Sequence, residues 1–198
     1  MRQRENRNHI LSAALRLFSL KGYYAVGVQE ICTESGITKP TLYYYFGNKE
    51  GLLRELLISR YRLFHSKLRK AAEYTAHPGD YNLDVLPVLI RLTRSYFEFA
   101  LGNPDFYRMQ LSFMFSPADS VPRRAVSELN TEHYAIVEGM FSRMAAVHLN
   151  MAGKEKILTD SFIGAVNAAV LRYEKEGSGL TGEHAEELVK IFMHGIFS

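Results

Sequence analysis

Cysteine and long apolar runs are scarce in this chain of 198 residues. The single cysteine, Cys32, excludes an internal disulfide and a cysteine-based metal cluster, which favours a reducing compartment. No stretch approaches the roughly 20 uninterrupted apolar residues of a transmembrane helix. Residues 1–9 are charged and polar where a secretory signal needs an apolar segment. We therefore expect a cytoplasmic protein.

Signatures of catalysis and of metal or nucleotide binding are missing as well. The chain has seven histidines, but no two of them combine a compact ligand spacing with a carboxylate partner. His133 and His148 lie fifteen residues apart without a third ligand. No Ser/His/Asp order and no phosphate-binding glycine loop can be identified. The sequence therefore predicts no enzyme, no metal and no cofactor.

Charge is distributed unevenly along the chain. Residues 1–56 carry eight Lys and Arg against five Asp and Glu, whereas the remainder balances at 16 of each sign. The formal net charge of +3 therefore lies in the first quarter of the chain. A local basic excess indicates contact with an anion such as nucleic acid.

Apolar residues recur at helical spacing almost throughout, and no segment alternates like a strand. Breaks at Gly22, Gly36 and Gly47 predict three amino-terminal helices, of which the third is capped by Thr38. A long fourth helix is expected from Asn48 to about residue 74. Later glycine and proline residues separate five further helices, at about 82–101, 104–115, 120–149, 154–176 and 182–197. We predict an all-α fold of about nine helices, with a three-helix head at 1–47 and a helical bundle at 48–198.

The second and third helices, joined by the turn "ESGITK", are typical of a helix-turn-helix, whose second helix enters the major groove of DNA. On a helical wheel, Leu42 and Phe46 share the face that must be buried. Tyr45 falls at the border between core and solvent. The positions predicted to face outward are Lys39, Pro40, Thr41, Tyr43 and Tyr44.

Residues 27–52 resemble the DNA-binding pattern of the tetracycline-repressor (TetR) family, T-x-x-x-I-A-x-x-A-G-V-x-x-x-x-x-Y-x-x-F-x-x-K-x-x-L. The matching positions are Ile31, Gly36, Ile37 in place of Val, Tyr43, Phe46, Lys49 and Leu52. The preceding "AALRLFSLKGYYA" is similar to the first helix of the family and its glycine exit. Gly27 stands where the family usually has Thr or Ser, so the second helix lacks a side-chain cap and a hydroxyl that commonly reaches a phosphate.

This resemblance implies a role for each residue of the head. Lys39 would donate to guanine, and Pro40 with Tyr43 or Tyr44 would contact thymine methyl groups. Thr41 and the tyrosine hydroxyls, including that of Tyr45, would bind phosphates. Lys49, in the first turn of the fourth helix, would bind a further phosphate. The basic arm of Arg2, Arg4 and Arg7 is read equally well as a DNA contact or as a solubilising tail.

Beyond residue 56 the sequence indicates an effector site and a dimer interface. Phe, Tyr and Met residues of the fifth to seventh helices are candidates to line a cavity for an apolar or aromatic effector, although ordinary core packing explains most of them. These candidates are Tyr96, Phe97, Phe113, Met114, Met140 and Met144. Small and apolar residues of the last two helices are expected to form a homodimer interface, as they do in TetR relatives. These are Ser161, Gly164, Ala165, Ala168, Leu188 and Phe192.

The sequence thus predicts a ligand-responsive, homodimeric DNA-binding regulator, most simply a repressor released from a palindromic operator by a small effector. One alternative is a helical-bundle enzyme or small-molecule carrier with a DNA-binding-like head. Another is a protein-interaction module with neither DNA affinity nor a cavity.

Overall fold

The computed structural model describes residues 2–194, with side chains from residue 5 onward. All regular structure in this part of the chain is helical, which confirms the predicted fold class. The helices are α1 (Arg2–Lys21), α2 (Val28–Glu34), α3 (Lys39–Phe46), α4 (Lys49–Ala71), α5 (Tyr81–Gly102), α6 (Pro104–Met114), α7 (Val121–Ala145), a 3-10 turn (Leu149–Met151), α8 (Glu155–Glu176) and α9 (Gly182–His194). None of these helices is long and apolar enough to cross a membrane.

The helices form two compact units. Of the described residues, the first unit contains those up to Leu63 together with Asn103–Asn130, and the second contains Phe64–Gly102 and those from Thr131 onward. Helices α4 and α7 therefore contribute residues to both units. The predicted division at residue 47 concerns function and stays a prediction.

The first unit is built around apolar faces of α1, α2 and α3. Ile10, Ile31 and Leu42, one from each helix, are completely buried. Gly36, in the turn between α2 and α3, has φ +63°, a left-handed conformation that glycine adopts without a steric cost. This turn lets α3 cross α2 while its opposite face remains in solvent.

Helix α6 also belongs to the first unit and packs against α1. Tyr61 of α4 is fully buried there, with its ring 5.5 Å from that of Phe106. The Tyr61 hydroxyl forms hydrogen bonds of 2.9 Å with the side-chain amide of Gln110 and of 2.8 Å with that of Asn130. The three-helix head therefore shares its core with parts of α4, α6 and α7.

The second unit has an aromatic core. Phe64 stacks on Phe99 at 4.3 Å between ring centroids and meets the edge of Tyr96 at 5.2 Å. Phe141 of α7 and Phe162 of α8 lie 6.1 Å apart and are fully buried. Helices α5, α8 and α9 pack around this cluster.

Helix α4 ends at Ala71, three residues before the predicted end. The guanidinium of Arg91 donates from Nε to the carbonyl of Ala71 at 2.9 Å, and that of Arg143 donates to Ala72 at 2.9 Å. These donors satisfy carbonyls that otherwise have no partner at a helix terminus. The chain then leaves the helix, and the Tyr74 hydroxyl donates to Asp84 at 2.6 Å.

Helix α7 ends at Ala145, whereas the pattern predicted helix to residue 149. His148 has a non-helical backbone, with φ −104° and ψ 89°, and its Nε2 lies 2.8 Å from a carboxylate oxygen of Asp84. This long-range contact replaces the last helical turn. The final helix, expected to reach residue 197, is described to His194, so Ile196 and Phe197 lie outside the described residues, as do the side chains of Arg2 and Arg4.

Candidate functional site

Helix α3 begins with a side-chain cap. The Thr38 hydroxyl accepts from the backbone N–H of Thr41 at 3.4 Å and lies 2.9 Å from the Thr41 hydroxyl. Pro40 occupies the first turn, where its missing N–H removes no helical hydrogen bond. Leu42 and Phe46 turn inward, 0% and 7% exposed, as predicted.

The opposite face of α3 presents aromatic rings to solvent. Tyr44 is 76% exposed and Tyr43 is 46% exposed. Tyr45 is half-buried, and its ring contacts that of Tyr44 edge-on at 5.3 Å. The predicted orientation of the three tyrosines is therefore confirmed, while their contacts with DNA stay a prediction.

Lys39 lies at the exposed start of this face. Other cations of the head form ion pairs, namely Arg7 with Glu55, Arg16 with Glu34 and Lys21 with Glu30. Among residues 5–194, no carboxylate lies within ion-pair distance of Lys39. Its ammonium is therefore available to an acceptor outside the protein.

Gly27 is the N-cap of α2 and, as expected, supplies no side-chain hydrogen bond. Its backbone is extended, with φ −85° and ψ 154°, which any residue can adopt. A Cβ built at this position meets no atom within 4 Å. Steric crowding therefore does not require glycine at position 27, and a serine or threonine side chain would fit there.

Lys49 is half-buried in the first turn of α4. Its Nζ donates to the carbonyls of Tyr23 and Val26, each at 2.9 Å, and lies 4.2 Å from the centre of the Tyr23 ring. Burial lowers the pKa of Lys49. Two of its three N–H groups thus bind the loop between α1 and α2, and its predicted phosphate contact would fall to the third.

The partners of Lys49 are backbone carbonyls, which no residue pattern marks. Sequence reasoning therefore missed this link between α4 and the segment that leads into α2. The only available signal was "KGYYAVG", whose aromatic residues indicate an ordered loop rather than a flexible one.

The predicted effector residues lie in different units. Tyr96, Phe97, Met140 and Met144 belong to the second unit and are buried, whereas Phe113 and Met114 belong to α6 in the first. Tyr96 forms a short hydrogen bond with Nε2 of His133, and Nδ1 of His133 has no partner among the described residues. Burial, followed by the neighbouring His65, lowers the pKa of His133 to about 3, so the ring is neutral.

Asp84 organises a second polar cluster in the same unit. Its carboxylate accepts from the backbone N–H of His77 at 2.9 Å, in addition to its contacts with Tyr74 and His148. Burial raises the pKa of Asp84, but these hydrogen bonds outweigh it and lower the value to about 2. Asp84 and His148 are 64 positions apart, so no local spacing could have revealed the pair.

The predicted dimer residues lie on one accessible face of α8 and α9. Ser161, Gly164 and Ala168 are exposed, and Ala165, Leu188 and Phe192 are half-buried. Four of these residues line a shallow groove of about 510 Å³, namely Ala165, Ala168, Leu188 and Phe192. The neighbouring Ile191 is 52% exposed. Their role in dimerisation stays a prediction.

Known proteins similar to this chain are bacterial transcriptional regulators. Residues 10–56 match the family described as "Bacterial regulatory proteins, tetR family". The HTH-type transcriptional regulator YdgC of Bacillus subtilis is 27% identical over 165 residues, which cover 80% of this chain and 82% of YdgC.

Solved structures with the same fold include the following two. FadR from Bacillus subtilis, in complex with stearoyl-CoA, superposes with a TM-score of 0.77 at 17% identity, covering 95% of this chain and 98% of FadR. AibR, in complex with isovaleryl coenzyme A and operator DNA, superposes with a TM-score of 0.70 at 22% identity, covering 94% of this chain and 97% of AibR.

Proposed function

Because this chain is a TetR-family DNA-binding transcriptional regulator, we propose that it is a homodimeric repressor released from a palindromic operator by a small effector. The functional division that we propose places DNA contact in residues 1–47 and effector binding and dimerisation in residues 48–198.

The exposed face of α3 carries this proposal. Lys39 has an ammonium without a carboxylate partner in the described chain, and it is the first residue of the helix that a helix-turn-helix inserts into the major groove. Tyr43 and Tyr44 place apolar ring surface and hydroxyl groups beside it. Cations, apolar surface and hydroxyls are the groups that read guanine, thymine and phosphate.

The apolar face of α8 and α9 supports a homodimer. A recognition helix of eight residues contacts few base pairs, so a second, symmetric half-site is needed for useful affinity. Small residues such as Gly164 and Ala168 let a partner helix approach closely, and Ile191 offers apolar surface to bury. A second copy of the same face satisfies both requirements.

The effector is proposed to be apolar or aromatic and to bind in the second unit, among residues that include Tyr96, Phe97, Met140 and Met144. Flexible methionines and aromatic rings adapt readily to apolar ligands. Phe113 and Met114 remain candidates from the first unit. The acyl-CoA molecules bound by FadR and AibR offer one chemical precedent.

Binding selection from random DNA duplexes tests the proposal. We expect enrichment of an inverted repeat whose half-sites are separated by about one helical turn, or 10–10.5 base pairs. A single unrepeated site would contradict the dimer, and no enrichment at all would favour the carrier or enzyme alternative.

A further inference from the structure

The second unit contains a cavity that none of the predicted effector residues lines. Its volume is about 300 Å³, near the lower end of the range for small-molecule sites. It is lined by Tyr81, Val85, Leu89, Phe141, His148, Asn150, Met151, Lys154, Leu158, Phe192 and Met193.

The lining combines an apolar interior with a cationic rim. Val85, Leu89 and Phe141 are buried and form apolar walls. Lys154 is exposed, and its Nζ donates to the carbonyl of Asn150 at 2.9 Å, which leaves two N–H groups for other acceptors. Of the described residues that line the cavity, none carries a carboxylate.

One buried carboxylate beside the cavity, that of Asp84, is already compensated by its partners. The carboxylate of Asp84 is fully buried and holds the imidazole of His148, which does line the cavity. The same carboxylate accepts from Tyr74 and from the N–H of His77. The Asp84 carboxylate therefore holds His148 in place in one wall of the cavity, and its partners weaken its electrostatic repulsion of an anionic ligand.

We propose that this cavity binds a small amphiphile with a single anionic head, such as a medium-chain carboxylate, with the head at Lys154 and the chain against Phe141 and Leu89. Apolar walls favour burial of the chain, and the lone ammonium at the rim favours a carboxylate over a neutral head. Binding of this ligand does not depend on the proposed function, whereas a role for the ligand as an effector rests on it.

Calorimetric titration with sodium octanoate tests the head group. We expect Lys154→Gln to weaken octanoate binding roughly three- to tenfold, since one charge-assisted contact is lost. The matched control is Lys156→Gln, an exposed lysine in the first turn of α8 that does not line the cavity, whereas Lys154 is the N-cap of this helix. Octan-1-ol, which has the same chain and a neutral head, should bind the unmodified protein more weakly than octanoate.

Chain length tests the apolar walls. Affinity should rise from butanoate to octanoate by up to roughly fourfold per methylene, as burial of each group in an apolar site predicts. Methionine methyl NMR locates the ligand, since Met151 and Met193 line the cavity while Met109 lies buried in the first unit. Octanoate should shift the first two signals and leave that of Met109 unchanged.

Three results would overturn the proposal: no shift at Met151 and Met193, equal affinity in the Lys154→Gln variant, or equal affinity for octan-1-ol. Operator affinity, measured separately with and without octanoate, concerns the proposed function. Binding as predicted with unchanged operator affinity would support the cavity and count against this ligand as an effector.

Discussion

Replacing Lys49 by methionine should destabilise the protein although the side chain is only half-buried. Methionine keeps an apolar stem but removes the ammonium that donates to the carbonyls of Tyr23 and Val26, each at 2.9 Å. A hydrogen bond from a charged group contributes about 1.5–3 kcal/mol. The burial that lowers the pKa of Lys49 already offsets part of this gain. We therefore expect the two bonds together to contribute about 2–3 kcal/mol to the free energy of unfolding.

Urea denaturation followed by circular dichroism measures this change, at one fixed protomer concentration because dimerisation would shift the midpoint. The control is Lys21→Met, which removes an ammonium of the same unit that forms an exposed ion pair with Glu30. It should change the free energy of unfolding by less than about 1 kcal/mol. If Lys49→Met were as stable as the unmodified protein, the assigned link between α4 and the α1–α2 loop would be wrong.

The same variant separates stability from phosphate binding. If the third N–H of Lys49 also binds DNA, operator affinity should fall for all sequences alike, and the salt dependence should flatten by about one unit per half-site. An altered base preference would contradict a phosphate contact. An unchanged salt slope, with the loss of stability, would leave Lys49 as a positioning residue alone.

Four further predictions concern single positions. Lys39→Ala should relax base preference at one position of each half-site by about 1–3 kcal/mol, measured with operators that carry single-base changes; equal losses on every operator would contradict base readout. Gly27→Ser should stabilise α2 by a few tenths of a kcal/mol and raise operator affinity, because the space is open and the hydroxyl can reach a phosphate; weaker operator binding would show that the site excludes a side chain. Ala168→Glu should produce monomers in sedimentation and abolish operator binding, and an unchanged dimer would place the interface elsewhere. Burial lowers the pKa of His133 to about 3 in the folded chain against 6.5 ordinarily, so the neutral ring has no pH-dependent effect above pH 6.5. As pH falls from 6.5 towards 3, protonation favours the unfolded chain and the free energy of unfolding decreases, on the order of 1 kcal/mol per pH unit. His133→Leu should remove this slope from the free energy of unfolding, and an unaltered slope would assign it to another group.

The head was predicted well because its determinants are local. The Thr38 cap, the glycine turns and the alternation of Leu42 and Phe46 with exposed tyrosines are each specified within a few residues. A helical wheel is therefore sufficient to state which rings reach solvent. The same locality explains the accurate start of α4, where the Asn48 side chain accepts from the N–H of Gly51 at 2.7 Å.

The body was predicted less completely because its determinants are distant in sequence. The ends of α4 and α7 depend on Arg91, Arg143 and Asp84, none of which neighbours the helix end that it binds. Composition alone also could not separate Phe113 and Met114, in the first unit, from the aromatic residues of the second. The cavity beside Lys154 combines five separate segments, so no single stretch of sequence indicates it.

The packing of α6 against α1 has a consequence for building hybrid regulators. The first unit consists of two separate stretches of chain, the second of which contains α6. A chimera joined to a relative at one point after α3 would place a foreign α6 against the native α1. A recombinant that exchanges both stretches together keeps this contact intact, so functional hybrids require three crossover points instead of one.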